Sequence, residues 1–252
     1  MKITFKSSVL FTIILTLICL NLHSDEGLKP LATSPAPKAD SPWAQKYWYP
    51  THEKLLNESR SRKGEAIDLL FIGDSITAAF NGKEGQAALK ENFPHLSYHN
   101  VAVKGDTTSN VLWRIKQGVI DNLNPKVTVL LIGTNNTSAD YLPQETADGI
   151  EAIFTQIKLK LPHSRILLLS VLPRSERGKR KFATCNKHIN EIIQHFEDKE
   201  SIFYLDLSQS FQTSAQEFNQ DYYNRDQLHL NGKGYHVWAK TMKSTITNLI
   251  IN

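Results

Sequence analysis

Short apolar runs recur along the chain and alternate with segments in which apolar residues repeat at helical spacing. The runs, each typical of a strand buried on both faces, span residues 67–72, 98–103, 127–132, 166–172 and 202–207. One-sided apolar patterns predict helices that include residues 111–119, 150–161, 189–196 and 235–249. This alternation predicts βαβ units, and therefore an α/β fold with a five-stranded parallel sheet covered by helices on both sides.

The first 42 residues differ in composition from the rest. Lys2 and Lys6 precede an apolar stretch at residues 9–20, which is shorter than the ~20 residues of a membrane span. Residues 1–24 are therefore predicted to be a cleaved signal for export to the periplasm or the medium, with an uncleaved anchor as the alternative. Residues 25–42 are rich in proline and predict a linker, which leaves one domain at residues 43–252.

The charge balance gives little indication of a charged partner. Loss of Lys2 and Lys6 with the signal would leave 27 basic residues against 25 acidic ones. This near-neutral balance lacks the basic footprint of a nucleic-acid-binding protein. One basic cluster remains, which we expect to be a solvated loop or a weak contact with an anionic substrate or surface; it consists of Arg174, Arg177, Lys179, Arg180 and Lys181.

Glycine and short polar residues follow three of the predicted strands. Ser75 comes after the first strand in Gly73-Asp74-Ser75, Gly105 after the second, and Asn135 after the third. Ligands of parallel sheets bind beyond the carboxyl ends of the strands, so we expect these residues to lie near one another. Singly, each has a plain structural explanation as a helix cap or a turn glycine.

A loop before the last predicted helix carries Asp226 and His229. A serine hydroxyl is a weak nucleophile that needs a neighbouring base, and His229 can accept the proton of Ser75 while Asp226 orients the imidazole. The backbone N–H groups of Ser75 and Gly105 and the side-chain amide of Asn135 can bind the oxyanion of a tetrahedral intermediate. Together these residues predict an ester-cleaving site.

These four blocks resemble, in order, those of the SGNH, or GDSL, hydrolases. Further segments are similar to the catalytic subunits of intracellular platelet-activating-factor acetylhydrolase; among them are Gly105-Asp106-Thr107-Thr108, Val111-Leu112-Trp113-Arg114 and Leu172-Pro173-Arg174. The resemblance implies a flavodoxin-like three-layer α/β/α sandwich, the triad Ser75, Asp226 and His229, and no metal or cofactor. It also implies that Asp74 is structural, and it points to a homodimer.

The substrate is predicted to be a small acyl ester of a lipid or a glycan. The acyl group should lie beside Ser75, next to Ile76, Thr134 and Leu228. In the resembled acetylhydrolases, residues at these motif positions close the pocket around one methyl group, which implies a preference for acetate. An open groove would instead fit a lysophospholipase or thioesterase. Because the resembled branch is cytosolic, the predicted export signal also leaves a polysaccharide deacetylase open.

Two other classes of protein fit parts of the pattern. A metallophosphatase also uses Gly-Asp and Gly-x-Asn-x blocks, but the third block here lacks the expected histidine and no histidine pair has ligand spacing. An inactive binding module would keep the same scaffold without turnover. Chelator sensitivity would identify the first class, and hydrolysis of an aryl acetate would exclude the second.

Overall fold

The computed structural model of the protein describes residues 29–175, 180–213 and 218–251. The contacts divide the chain into Met1–Pro30 and Leu31–Asn252, and the description below concerns the second unit. The predicted export signal at residues 1–24 lies outside the described residues. Within the described ranges, no helix is both long enough and apolar enough to cross a membrane.

Five parallel strands form the centre of the fold. They are β1 (Ala66–Gly73), β2 (Tyr98–Asn100), β3 (Asn124–Leu131), β4 (Arg165–Leu169) and β5 (Ile202–Leu205). The strand order is β2-β1-β3-β4-β5, and every neighbouring pair is parallel. This is the flavodoxin-like order, so the predicted fold class is confirmed.

Helices cover both faces of the sheet. In chain order they are α1 (Tyr49–Ser61), α2 (Ser75–Ala78), α3 (Lys83–Asn92), α4 (Thr108–Lys116), α5 (Thr134–Ser138), α6 (Pro143–Lys160), α7 (Arg180–Ile193) and α8 (Gly232–Ile251). Apolar residues of α1, α4, α6 and α7 pack on one face, and those of α3 and α8 pack on the other. The short helices α2 and α5 begin at the carboxyl ends of β1 and β3.

Strand β1 supplies side chains to both layers of the core. Ile67, Leu70 and Ile72 pack in the cluster with α4 and α6, whereas Leu69 and Phe71 pack in the cluster with α8. All five side chains are buried. A strand covered on both faces has no polar alternation, which explains the unbroken apolar run in the sequence. Each such side chain contributes roughly 1.5–3 kcal/mol of burial free energy.

The described part of the predicted linker packs against the domain. We call residues 31–43 the N-terminal strap. Its backbone is paired with the start of α4: Ala32 accepts a hydrogen bond from the hydroxyl of Thr108 at 2.9 Å, and Ala36 donates to the carbonyl of Ser109 at 3.1 Å. The strap is therefore hydrogen-bonded to the domain, whereas the composition of residues 25–42 predicted a linker. Polar partners at the start of α4 satisfy the backbone of the strap and take the place of apolar burial.

Candidate active site

Ser75 lies at a sharp turn between β1 and α2. A side chain at Gly73 would overlap the carbonyl oxygen of Leu131 and the hydroxyl of Thr77, so only glycine fits where the strand ends. Asp74 then caps α2, because its Oδ1 accepts from the N–H of Ile76 at 2.9 Å. The turn leaves Ser75 half-buried, at the first position of the helix.

Ser75, His229 and Asp226 form one chain of hydrogen bonds. The Oγ of Ser75 is 2.9 Å from Nε2 of His229, and Nδ1 of His229 is 2.7 Å from Oδ2 of Asp226. With the imidazole proton on Nδ1, His229 donates to Asp226 and accepts from Ser75. The predicted triad residues are thus in direct contact, although 154 positions separate Ser75 from His229.

The loop that carries Asp226 and His229 is held by local hydrogen bonds. The Oδ1 of Asp226 accepts from the N–H groups of Leu228 at 3.1 Å and His229 at 3.0 Å. The N–H of Ser175 donates to the carbonyl of Gln227 and ties the loop to the segment after β4. Partial burial raises the pKa of Asp226, but the hydrogen bonds from His229 and Leu228 outweigh it and hold the pKa below its ordinary value. Asp226 is therefore ionised at neutral pH.

Gly105 and Asn135 follow the two strands that flank β1. Gly105 has a φ of 80°, in the left-handed region that glycine adopts without strain. Its N–H makes no hydrogen bond within the described residues. The Nδ2 of Asn135 donates to the carbonyl of Asp106 at 2.9 Å, which uses one of its two amide hydrogens. The sheet order therefore brings two groups with unused N–H donors to either side of the Ser75 turn.

A buried ion pair between Asp106 and Arg114 lies beside the Gly105 turn. The sequence analysis did not predict it. The Oδ2 of Asp106 accepts from Arg114 at 3.0 Å, and its Oδ1 accepts from the indole of Trp48 at 2.6 Å. Both members of the ion pair are buried. The only signal in the sequence was that both residues lie in segments shared with the resembled acetylhydrolases. Their pairing requires α4 to fold back under the turn.

Asp74 is fully buried beneath the Ser75 turn. Its Oδ2 has no hydrogen-bond partner within the part of the chain that the structure describes. Burial raises the pKa of Asp74 from 3.8 to about 7, with the charge of Asp106 adding to the shift and Arg174 and the N–H of Ile76 opposing it. Its burial and its capping bond agree with the structural role that the resemblance implies.

The raised pKa of Asp74 predicts that stability falls with rising pH. Between about pH 4 and pH 7 Asp74 retains in the folded protein a proton that it loses in the unfolded chain, so the contribution of Asp74 to the free energy of unfolding decreases across this window. Asp74→Asn keeps a capping oxygen but cannot ionise. From about pH 4 to pH 8 we expect the wild type to lose at least ~1.4 kcal/mol more than this variant, which urea unfolding would measure. Parallel stability curves would contradict the prediction.

Two of the three predicted acyl-pocket residues are buried. Ile76 is 1% exposed and packs in the core, while Thr134 is 2% exposed and its hydroxyl accepts from Arg174 at 2.9 Å. The prediction that these two side chains contact the acyl group is therefore wrong. Successive residues of a helix point about 100° apart, so a position next to a site residue usually faces elsewhere. Leu228 is partly buried against the same core and remains beside His229.

Arg174 does not belong to an exposed basic surface. It is 1% exposed, and its Nη1 also donates to the carbonyl of Thr134 at 3.1 Å. The predicted role of Arg174 in a surface contact is therefore wrong. The guanidinium holds the start of α5 instead. Lys181 is exposed and lies 2.7 Å from Asp140; outside the described residues lie Arg177, Lys179 and the side chain of Arg180.

Among the described residues, the groove between α7 and the segment after β5 does not include the predicted triad, and the acidic and histidine side chains form no metal site. A polar groove of about 670 Å³ lies between α7 and the segment after β5, and it contains none of the predicted triad residues. In the ranges described, no group of three or more His, Cys, Asp or Glu side chains is arranged to hold a metal ion. The hydrogen-bond chain of Ser75, His229 and Asp226 therefore marks the candidate active site better than cavity size does.

In this fold, a serine at the edge of a parallel sheet is hydrogen-bonded to an imidazole. Serine hydrolases use this arrangement. The model of the GDSL-like lipase/acylhydrolase family matches residues 71–237. The alpha2 subunit of human platelet-activating factor acetylhydrolase IB is 32% identical over 205 residues, which cover 81% of this chain and 85% of that protein. The chain therefore belongs to this family and is a carboxylic ester hydrolase.

Another relative and two solved structures are also similar to this chain. A Drosophila melanogaster homolog of the beta subunit of that acetylhydrolase is 35% identical over 160 residues, covering 64% of this chain and 66% of the fly protein. A GDSL-like lipase from Bacteroides thetaiotaomicron has a TM-score of 0.63 at 21% identity, covering 78% and 97% of the two chains. An acetylxylan esterase mutant from Geobacillus stearothermophilus has a TM-score of 0.57 at 16% identity, covering 73% and 94%. At these identities, the structures support the fold alone.

Proposed function

We propose that the protein hydrolyses short-chain esters, with acetate as the preferred acyl group, and that Ser75 is its nucleophile. The observation that carries the proposal is the continuous hydrogen-bond chain from Ser75 through His229 to Asp226, with distances of 2.9 and 2.7 Å. A serine paired in this way can lose its proton as it attacks a carbonyl carbon. The ionised Asp226 stabilises the imidazolium that results.

The reaction then proceeds through an acyl-enzyme. The Oγ of Ser75 attacks the ester carbonyl while Nε2 of His229 takes the hydroxyl proton. His229 returns that proton to the departing alkoxide as the intermediate collapses and the alcohol leaves. A water molecule, deprotonated by His229, next attacks the acyl carbonyl, and Ser75 is released with its proton restored.

The proposed oxyanion site consists of the N–H groups of Ser75 and Gly105 and the amide of Asn135. These donors come from the ends of three neighbouring strands, and the N–H of Gly105 is unused within the described residues. Donors that are already in place stabilise charge that develops only in the transition state. Removal of one such donor typically lowers kcat by ~10²–10³.

The alcohol part of the ester is proposed to belong to a lipid or a glycan. Relatives of this chain are named platelet-activating factor acetylhydrolase, and a protein of the same fold is named acetylxylan esterase. Both names support an acetyl group on different alcohols. A hydrolysis panel of acetylated sugars, acetylated xylan and an acetyl-glycerophospholipid would identify the alcohol. Export through residues 1–24 and homodimer formation remain predictions, which fractionation and sedimentation would test.

Acyl length is predicted to control turnover. Leu228 adjoins His229 and is partly buried, so an acyl chain that extends past it must displace packed side chains, which costs about 1–3 kcal/mol. The gain of up to ~0.8 kcal/mol per buried CH₂ requires room that a packed leucine does not leave. We therefore expect kcat/KM to fall on the order of tenfold from p-nitrophenyl acetate to butyrate, and octanoate to be a very poor substrate.

A pair of leucine variants tests the origin of this preference. Leu228→Ala should widen the site and reduce the acetate-to-butyrate ratio. Leu159→Ala, which removes an exposed leucine on α6, should leave the ratio unchanged. A maximum at six or eight carbons would exclude the acetyl-esterase proposal and favour a lysophospholipase or thioesterase.

The two rival functions are tested with the same aryl acetate. EDTA should leave its hydrolysis unchanged, whereas a metallophosphatase-type site would lose activity. A serine-directed organophosphate should abolish turnover and label Ser75. An absence of turnover with every ester in the panel would favour the inactive binding module.

A further inference from the structure

The N-terminal strap places a lysine directly on the Gly105 turn. The ammonium of Lys38 donates to the carbonyl of Gly105 at 2.5 Å, across 67 positions of sequence. A methyl group at Gly105 would lie 3.5 Å from this ammonium and 3.4 Å from the indole of Trp43. The strap therefore covers one side of the turn. Sequence reasoning missed this contact because it assigned Lys38 to a linker.

The backbone around Lys38 is itself held in place. The hydroxyl of Tyr49, on α1, donates to the carbonyl of Lys38 at 2.9 Å. The carbonyl of Ala36, two residues earlier, accepts from the side chain of Asn110 on α4 at 3.1 Å. Lys38 thus reaches Gly105 from a backbone that two helices anchor. A lysine on a free linker would lose much more side-chain entropy in forming the same bond.

The hydrogen bond from Lys38 restrains a turn that is built on a glycine. Gly105 has a φ of 80° and lacks a Cβ, so its turn has little steric restraint of its own. Asp106 holds the turn on its inner side through Arg114 and through its own N–H, which donates to the carbonyl of Val103 at 3.2 Å. Among the described hydrogen bonds, the one from Lys38 ends on the Gly105 carbonyl itself. A hydrogen bond from an ammonium is stronger than one from a neutral donor.

We propose that Lys38 is a positioning residue for catalysis: by holding the carbonyl of Gly105 it fixes the peptide unit that follows Gly105, and it thereby restricts backbone rotation in the turn that presents the Gly105 N–H to the oxyanion. This inference rests on the proposed function, because it presumes that Gly105 is an oxyanion donor. The strap is then part of the catalytic apparatus.

The pKa of Lys38 depends on the groups that face it. On the body of the domain they are the carboxylate of Asp106 and its partner Arg114, and on the strap and α1 they are the uncharged Trp43 and Tyr49. Burial lowers the pKa of Lys38, and Asp106 opposes the shift. Deprotonation of Lys38 in alkali would remove the charge from its bond to Gly105.

Lys38→Met is the first test, assayed on the full chain with p-nitrophenyl acetate. We expect kcat to fall about 5- to 20-fold with KM within twofold, because the donor is aimed less well while ground-state binding is unchanged. Lys38→Arg should recover most of this loss. Lys46→Met is the matched control, because Lys46 is an exposed lysine that lies over the ring of Tyr47, and it should match the wild type.

The pH profile is the second test and does not require Lys38→Met to fold. The wild type should lose kcat in alkali as Lys38 deprotonates, and Lys38→Arg should move this loss to higher pH because a guanidinium stays charged. Coincident profiles up to about pH 10.5, or a kcat of Lys38→Met within twofold of the wild type, would overturn the role of Lys38. Retained activity in Ser75→Ala would instead overturn the proposed function, so the two failures are distinguishable.

Discussion

Replacement of Ser75 by alanine is expected to lower kcat for aryl acetates by on the order of 10⁴–10⁶ while leaving the fold intact. The variant keeps the oxyanion donors but removes the only atom that can form the acyl-enzyme. Ser75 is half-buried at the first position of α2, and its side chain contacts only His229 among the described hydrogen bonds. Alanine suits a helix start of this kind, so the unfolding free energy should change by less than about 0.5 kcal/mol.

Matched variants separate a catalytic effect from a structural one. His229→Ala should reduce kcat nearly as much as Ser75→Ala, because the serine then has no base. Ser61→Ala and His163→Ala remove exposed residues that make none of the described hydrogen bonds with the proposed triad, and both variants should keep full activity. Mass spectrometry should find organophosphate on Ser75 in the wild type and on no residue of Ser75→Ala. Turnover of more than a few per cent in Ser75→Ala would assign the nucleophile elsewhere.

Asn135→Ala is expected to lower kcat by about 10²–10³, or ~3–4 kcal/mol of transition-state stabilisation, with little change in KM. The structure shows Nδ2 of Asn135 bonded to the carbonyl of Asp106, which sets the amide plane and leaves its second hydrogen for substrate. The charge on the substrate oxygen is largest in the transition state, so the loss should fall on kcat.

The neighbouring asparagine provides the control. Asn136 is buried and bonds to both the N–H and the hydroxyl of Thr108, so Asn136→Ala should lower the melting temperature more than kcat. Asn135→Ala should show the opposite pattern. A change confined to KM would mean that Asn135 binds ground-state substrate and is not an oxyanion donor.

The sequence alone predicted the sheet and the contacts of the proposed triad. A strand covered on both faces is mainly apolar, so β1, β3, β4 and β5 were visible as runs. Strand β2 (Tyr98–Asn100) instead ends before the apolar residues 101–103 that indicated it. Gly73 ends the apolar run, and Asp74 marks the start of α2 because helix capping is a local requirement. Asp226 and His229 contact each other within one four-residue loop, so their spacing was informative by itself.

Tertiary structure decided which way other side chains face. The hydroxyl of Tyr235 on α8 donates to the carbonyl of Ile76 at 2.7 Å and helps to pack α2 against the core. The hydroxyl of Thr134 likewise accepts a hydrogen bond from Arg174, which lies in the segment after β4. Adjacency in sequence suggested an acyl pocket at both positions, but partners more than thirty residues away determine their burial.

The hydrophobic pattern and the local turn chemistry of this chain determine its fold class, its proposed nucleophile and the loop that carries the proposed base. These features depend on interactions within a few residues, or on the burial that every parallel strand requires. Two other features depend on how whole helices and the strap pack in the folded domain. They are the pairing of Asp106 with Arg114 and Trp48, and the contact of Lys38 with Gly105. Burial and long-range hydrogen bonds are set by packing between distant segments, so only the tertiary structure decided them.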